Sequence, residues 1–201
     1  MTARKFNLGF TLVELLIVIG LLGSIALIVI SAINPVEQAN RARDTRFKAD
    51  GGQLISAIDR YFAARSEFPW VTTSVVANND ASFGFASAGN EGVGICGSDC
   101  TTDGVLISQD ELKTEFRNRD FITAHSGTDD SKKIFIGKTT GTSQSVYACY
   151  IPLSKSTRQA AVADAKVYTL NTSDGSRTAT STCDADASDW ITNACYVCIP
   201  E

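Results

Sequence analysis

Two different hydrophobic patterns occupy the first third of the chain. From residue 10 to residue 33 the sequence is almost continuously apolar, and its one charged side chain is Glu14. As a helix this run would be about 36 Å long, whereas the hydrocarbon core of a bilayer is about 30 Å thick. The pattern therefore predicts a transmembrane helix over residues 10–33, with a carboxylate that needs a partner.

The second pattern is one-sided and extends over residues 34–65. Apolar residues recur there at spacings of three and four, which places them on one helix face that must pack against another layer; they include Phe47, Leu54, Ile55, Ile58, Tyr61 and Phe62. We expect an amphipathic continuation of the first helix, with a kink at Asn34-Pro35. Gly51-Gly52 interrupts this amphipathic half, and Pro69 follows its end.

Residues 66–201 have the pattern of a globular head. Residues 71–104 are rich in glycine, serine and asparagine and predict a long loop, and Ser108-x-x-Glu111 predicts a capped helix over residues 109–117. Four runs rich in isoleucine, valine and tyrosine predict an antiparallel sheet within about 133–199, at residues 133–137, 145–153, 166–170 and 191–199. Between them, Ser156–Ala165 predicts a helical turn. The fold class is α+β, with a long amino-terminal helix packed on a small antiparallel sheet.

The net charge of this head makes nucleic acid an unfavourable partner. Residues 66–201 carry ten basic and seventeen acidic side chains, and 10 − 17 gives a net charge of −7. An acidic surface repels phosphate backbones, so nucleic-acid binding by the head is disfavoured. The basic residues of the amphipathic half are interpreted as a solvated helix face; they are Arg41, Arg43, Arg46 and Lys48.

All six cysteines follow the apolar run; they are Cys96, Cys100, Cys149, Cys183, Cys195 and Cys198. In an exported domain such cysteines form disulfides. The expected pairing is Cys96 with Cys100, and Cys149 and Cys183 with Cys195 and Cys198 in either order. Two alternatives stay open: a zinc site of Cys96, Cys100, Cys195 and Cys198, or a redox site at Cys195-x-x-Cys198.

Three aspartates precede the last predicted strand, at Asp184, Asp186 and Asp189. Clustered carboxylates suit calcium, so this loop is a candidate calcium site, with a solvated acidic turn as the alternative. His125 is the only histidine, in a polar stretch, and is interpreted as a surface residue. We expect no catalytic site, since neither histidine nor cysteine has a predicted catalytic partner.

The amino terminus resembles the type IV prepilin signal. A leader with Arg4 and Lys5 runs into Gly9-Phe10-Thr11-Leu12-Val13-Glu14. The resemblance implies that a prepilin peptidase cleaves between Gly9 and Phe10, so that residues 1–9 are a removed leader. It also implies N-methylation of Phe10 and an assembly contact between Glu14 and the amino terminus of a neighbouring subunit.

Other interpretations of the same segment account for less of the sequence. A secretory signal cleaved after Ala32 would have an unusually long apolar region, and a plain membrane anchor does not explain Glu14. One feature disagrees with the prepilin orientation, because positive-inside counting finds four basic residues between positions 41 and 48 on the supposed outer side.

The resemblance implies a structural protein without a cofactor. We expect a subunit of a type IV pilus or pilus-like fibre, made as a homopolymer with an inner-membrane assembly platform. The subunit would lie in the cytoplasmic membrane before assembly, and in an extracellular fibre or a periplasmic pseudopilus afterwards. The alternatives are a type II secretion pseudopilin and, from another class, a membrane-anchored enzyme or metal-binding domain.

Overall fold

A computed structural model of the chain describes residues 9–32, 34–71, 81–141, 143–184 and 186–201. The leader before Gly9, Ile33 and residues 72–80 of the expected loop lie outside these ranges. The chain divides into two compact units, Met1–Gln38 and Ala39–Glu201. Helix α1, Leu12–Ala32, lies in the first unit, and helix α2, Pro35–Arg65, continues into the second.

Helix α1 has the composition of a membrane span. Its segment Leu12–Ile30 has a mean hydropathy of 2.8, and no part of it is buried by other described residues. By length and composition it is long and apolar enough to cross a bilayer.

Asn34-Pro35 starts a new helix. The Asn34 side-chain oxygen accepts a hydrogen bond from Glu37 N at 3.2 Å, which is the geometry of an N-cap. Pro35 then occupies the first helical position. A backbone N–H at this position has no acceptor within the helix, so proline loses no hydrogen bond there. The sequence marks a helix start here, where we had expected a kink within one helix.

The glycine pair does not interrupt α2, which runs unbroken to Arg65. Gly51 is buried against the sheet, and a Cβ atom there would lie 3.2 Å from Ala148 Cβ and 3.3 Å from Ile199 Cδ1. Those distances are tighter than ordinary van der Waals contact, so glycine lets the helix approach the strands closely. Gly52 faces open space.

The sheet has four antiparallel strands in the order β1-β2-β3-β6. Their bounds are β1 Phe83–Ser87, β2 Phe135–Lys138, β3 Tyr147–Tyr150 and β6 Val197–Ile199. β4, Tyr168–Leu170, forms a hairpin with β5, Arg177–Ala179, and a single antiparallel bridge joins Tyr168 to Tyr196, just before β6. The α+β fold class is thus confirmed, but the predicted loop supplies the edge strand β1, and the predicted strand at 166–170 lies outside the main sheet.

In the described part of the head, four short helices follow α2: α3 Val105–Ser108, α4 Asp120–Thr123, α5 Lys155–Ala163 and α6 Ala187–Thr192. There are also 3-10 turns at Glu91–Val93, Ser98–Cys100, Thr114–Asn118 and Asp130–Lys132. The turn predicted at Ser156–Ala165 is confirmed as α5, although its N-cap is Ser154, which accepts from Thr157 N.

The helix predicted over residues 109–117 is wrong. Ser108 is the last residue of α3, and Asp110 adopts a left-handed conformation, φ 60°, that ends the helical path. Both Glu111 N and Leu112 N then donate to Leu106 O. The Ser-x-x-Glu spacing therefore occurs at a helix end. Within the predicted range, the one helical segment after Asp110 is the 3-10 turn Thr114–Asn118.

The strand predicted over residues 191–199 is only partly correct. Its first residues belong to α6, whose Trp190 is fully buried, and a left-handed Ala194, φ 49°, turns the chain into β6. A short helix places the Trp190 ring in the core, which the prediction of a strand beginning at Ile191 did not indicate.

Two hydrophobic cores flank the sheet. Side chains on β3 alternate between them: Ala148 and Tyr150 join the core built on α2, whereas Cys149 joins the core around Trp190. This alternation is the two-residue period of a strand buried on both faces. The head therefore has α2 on one face of its sheet and a cysteine-rich core on the other.

Candidate processing and assembly site

The first turn of α1 is a capping box formed by Thr11 and Glu14. Glu14 N donates to Thr11 Oγ1 at 3.2 Å, while Glu14 Oε2 accepts from Thr11 N and from Thr11 Oγ1, each at 2.9 Å. This Thr-x-x-Glu arrangement satisfies backbone donors that the helix itself leaves unpaired. The sequence analysis did not recognise it, although the spacing is present in the motif.

The capping box changes the interpretation of Glu14. Its carboxylate lies at the third helical position, where the positive end of the helix dipole stabilises negative charge. Within the described residues its partner is Thr11, and no cation pairs with it. The described part of the chain therefore provides Glu14 with a local polar partner and no counter-charge.

The residues at the expected cleavage point are accessible. Phe10 is 84% exposed, and nothing lies within 4 Å of the position that a Cβ atom on Gly9 would take. Large apolar side chains along α1 are exposed as well, from 45% at Val18 to 81% at Leu12. Nothing in the described chain covers this apolar surface, which is unusual for a soluble protein and marks an interaction site.

Comparison with known proteins identifies the signal. Residues 4–30 match the family model of the prokaryotic N-terminal methylation motif. This is the prepilin-type signal of type IV pilins and pseudopilins. No curated protein and no solved structure gave a significant match.

The signal at residues 4–30 supports a type IV pilin-like or pseudopilin precursor, and the α+β fold with its long apolar helix is consistent with it. The motif implies processing by prepilin peptidase and assembly into pilus-like polymers. Together with the apolar helix it supports anchoring in the membrane before assembly. Motif and fold suggest a structural, non-enzymatic protein.

The cysteines form three disulfides in the head: Cys96–Cys100, Cys149–Cys198 and Cys183–Cys195. The short Cys96–Cys100 loop is the expected one, and the structure resolves the order of the other two pairs. Cys149 and Cys198 lie directly opposite each other on β3 and β6. No cysteine is free, so none provides a thiolate for the alternative zinc or redox site.

Of the four basic residues between positions 41 and 48 of α2, three are exposed, as expected of a solvated face: Arg41, Arg46 and Lys48. Arg43 is the exception, since it is partly buried. Arg46 pairs with Asp120 at 2.6 Å, and Lys48 pairs with Glu201. Arg43 donates to Ile151 O at 3.0 Å and to Ser131 O, and its guanidinium lies 3.9 Å from the centre of the Phe47 ring. Burial lowers the pKa of Arg43, partly offset by the adjacent Asp44.

Asp44 is a structural residue that sequence analysis missed. It is 3% exposed and accepts hydrogen bonds from Leu153 N at 3.1 Å and from Ser154 N at 2.9 Å. These bonds attach the connection between β3 and α5 to α2. An acidic residue among basic ones carries no local signal for such a long-range contact.

The three aspartates of the candidate calcium loop are close in sequence but form no recognisable metal site. Asp184 Oδ1 accepts from Asp186 N at 2.6 Å, and Asp189 lies in α6. Desolvation raises the pKa of Asp189, and the Asp184 and Asp186 charges add to the effect. Among the described histidine, cysteine, aspartate and glutamate residues, no group of three or more could hold a metal ion. Calcium binding stays a prediction.

His125 is half-buried, so it is not the surface residue that we expected. Its ring packs against Gly89, where a Cβ atom would lie 2.4 Å from His125 Cβ, and its Nδ1 lies 2.8 Å from Ile122 O. These are the contacts of a packed loop residue.

Proposed function

We propose that this chain is the structural subunit of a type IV pilus or a closely related pilus-like fibre. The observation that carries the proposal is the fully uncovered apolar surface of α1, which directly follows a prepilin-type signal. A head with its own two cores and three disulfides supports it, because such a head needs no partner to fold. The subunit therefore has one self-sufficient part and one part that requires lipid or other subunits.

Cleavage after Gly9 would supply the missing charge partner of Glu14. The new Phe10 amine is positive, and in a fibre the amine of one subunit can approach the Glu14 carboxylate of another. An ion pair in an apolar core requires both charges to be satisfied. We propose that Glu14 then pairs with that amine, having been held by Thr11 in the single chain.

A type II secretion pseudopilin is the second candidate, since it would use the same signal and helix. The two differ in the location of the fibre: a pilus extends from the cell surface, and a pseudopilus lies in the periplasm. Electron microscopy of sheared surface fibres, with mass spectrometry of their subunits, tests the pilus proposal. Fibres built from residues 10–201 with a methylated Phe10 are expected, and surface preparations that lack this chain would contradict the proposal.

The processing step is tested separately with Gly9→Leu and the control Gly9→Ala. The exposed position of Gly9 presents the backbone to the peptidase, and a large side chain before the scissile bond would block it. We expect Gly9→Leu to leave the leader attached and Gly9→Ala to be cut. Amino-terminal sequencing of the membrane fraction decides this, and a Gly9→Leu chain that begins at Phe10 would refute the assignment.

A further inference from the structure

A cavity of about 380 Å³ opens in the head between α2, α5 and the end of β6. We call it the two-lysine pocket, defined by Lys48, Lys166, Tyr150 and Glu201. Its size lies within the usual range for small-molecule sites, which combine apolar walls with a few convergent polar groups. All of its lining residues belong to the unit Ala39–Glu201.

The two lysines of this pocket converge on one carboxylate. Lys48 lies on α2 and contacts Glu201 Oε1, while Lys166 lies between α5 and β4, with its Nζ 3.0 Å from Glu201 Oε2. Two ammonium groups from different elements thus hold the two oxygens of a single carboxylate. The geometry of a carboxylate-binding site is therefore present, and the chain's own Glu201 occupies it.

The Glu201 side chain is partly exposed to solvent in this arrangement. Glu201 follows β6, which ends at Ile199, and its side chain is 49% exposed. The two lysines lower the pKa of Glu201 to about 2, so it is ionised at neutral pH. Because half of its side chain faces solvent, an outside carboxylate can compete with it for the same two ammonium groups.

Deeper in the pocket, Tyr150 offers a hydroxyl that the protein does not use. Tyr150 is 3% exposed and lines the cavity, and no described residue forms a hydrogen bond with its hydroxyl. Burial raises the pKa of Tyr150, so the phenol keeps its proton as a donor. The hydroxyl is not among the fully buried polar atoms that lack a partner, so it is accessible from the cavity, where a ligand or water can accept its hydrogen bond.

The remaining lining restricts the ligand's charge and shape. Asp164 also lines the cavity, with its Oδ2 3.8 Å from Lys166 Nζ, whereas Asp44 is already paired with Arg43. With Glu201 displaced, the two lysines would therefore face one aspartate, which leaves about one positive charge to be balanced. A singly charged anion fits this balance better than a dianion such as phosphate. Ala160, Ala161 and Val197 form an apolar wall that suits a short hydrocarbon chain.

We propose that the two-lysine pocket binds a small organic monocarboxylate that carries an uncharged hydrogen-bonding group, in competition with Glu201. The ligand carboxylate takes the place of the Glu201 side chain between Lys48 and Lys166. Its hydrocarbon part lies against the apolar wall, and its second polar group accepts a hydrogen bond from Tyr150. A hydroxy acid or a keto acid has these three features.

Isothermal titration calorimetry on the full-length subunit in detergent, at pH 7 and low salt, tests the proposal. The probes are 4-hydroxybutyrate, butyrate and inorganic phosphate. We expect Glu201→Gln to bind 4-hydroxybutyrate about tenfold more tightly than the unmodified chain, because the competing carboxylate is gone. Glu115→Gln, which removes an exposed carboxylate outside the pocket, should bind like the unmodified chain.

Two further variants separate the parts of the site, each in the Glu201→Gln background. Lys166→Gln should weaken binding of both carboxylates about tenfold. Tyr150→Phe should weaken 4-hydroxybutyrate about fivefold and leave butyrate unchanged, a difference that general damage to the fold would not produce. No binding by Glu201→Gln, equal binding of phosphate, or equal effects of Tyr150→Phe on both carboxylates would overturn the proposal.

Discussion

Glu14 in α1 and Asp44 in α2 are both helix carboxylates, yet their surroundings differ completely. Asp44 is buried and its oxygens accept two backbone hydrogen bonds from a distant connection, so it stabilises the head from within. Among the described residues, the Glu14 carboxylate accepts hydrogen bonds from Thr11, three residues away, on a helix whose apolar side chains are exposed. The comparison shows that the head satisfies most of its own buried polar and apolar groups, whereas the apolar surface of α1 is left uncovered by the described residues.

Of the changes considered, the removal of α1 should have the largest effect on solubility and fibre formation. A chain of residues 36–201 keeps both cores and all three disulfides, so we expect it to be soluble and monomeric. It should form no fibres, because it has lost the uncovered apolar surface. Sedimentation velocity and electron microscopy measure this; fibres formed by the truncated chain would show that α1 is not the assembly element.

Removing a disulfide should weaken the head by an amount that depends on the loop it closes. Cys149–Cys198 spans 49 residues and Cys96–Cys100 spans 4. In the chain-entropy model the first contributes about 4 kcal/mol and the second about 2 kcal/mol. Paired serine substitutions at each bridge, compared by urea unfolding of residues 36–201, test this. Equal losses of unfolding free energy would contradict the loop-length account.

A substitution of Asp50 should have the smallest effect. It should change the free energy of unfolding by an amount that depends on pH. The Asp50 side chain is 4% exposed, its Oδ1 lies 3.5 Å from Arg119 Nη1, and its Oδ2 has no hydrogen-bond partner among the described atoms. Desolvation raises the pKa of Asp50, although Arg119 and Arg46 oppose the shift. A raised folded-state pKa means that the protonated form favours the fold and that this stability is lost as pH rises through the pKa.

We therefore expect Asp50→Asn to gain about 1 kcal/mol of unfolding free energy at pH 7, because the penalty of the buried charge is removed. The gain should shrink as pH falls through the raised pKa of Asp50, because the unmodified side chain then becomes neutral as well. Asp120→Asn is the control, since Asp120 is 72% exposed and its pair with Arg46 is worth at most about 1 kcal/mol. A gain that stayed constant from pH 7 to pH 3 would refute the desolvation account.

The sequence predicted the elements whose pattern is long and regular. Hydrophobic periodicity and turn residues predicted the two long helices, α1 and α2. They also predicted the short helix α5 and the strands β2, β3 and β6. β1 was missed because its sequence, Phe83-Gly-Phe-Ala-Ser87, is short and becomes a strand through pairing with β2. The motif indicated Gly9, Phe10 and Glu14, whose processing and assembly roles stay predictions.

Long-range contacts could not be predicted in the same way. The attachment of Asp44 to Leu153 and Ser154 joins residues more than a hundred positions apart, and no local spacing indicates it. The two-lysine pocket likewise combines side chains from α2, the α5–β4 connection and the end of the chain. Both depend on packing that is fixed only when the whole head folds.

The central claim is that Glu14 acts through its charge on a neighbouring subunit, and Glu14→Ala compared with Glu14→Gln tests it most directly. Glutamine can keep the capping-box hydrogen bonds with Thr11 but carries no charge, whereas alanine loses both. Losing one partner of a buried ion pair costs about 3–5 kcal/mol. The account predicts processed, membrane-held subunits and few or no fibres for both variants, counted by electron microscopy beside immunoblots of the membrane fraction. Normal fibre numbers with Glu14→Gln would show that Glu14 only caps its own helix and would contradict the assembly contact.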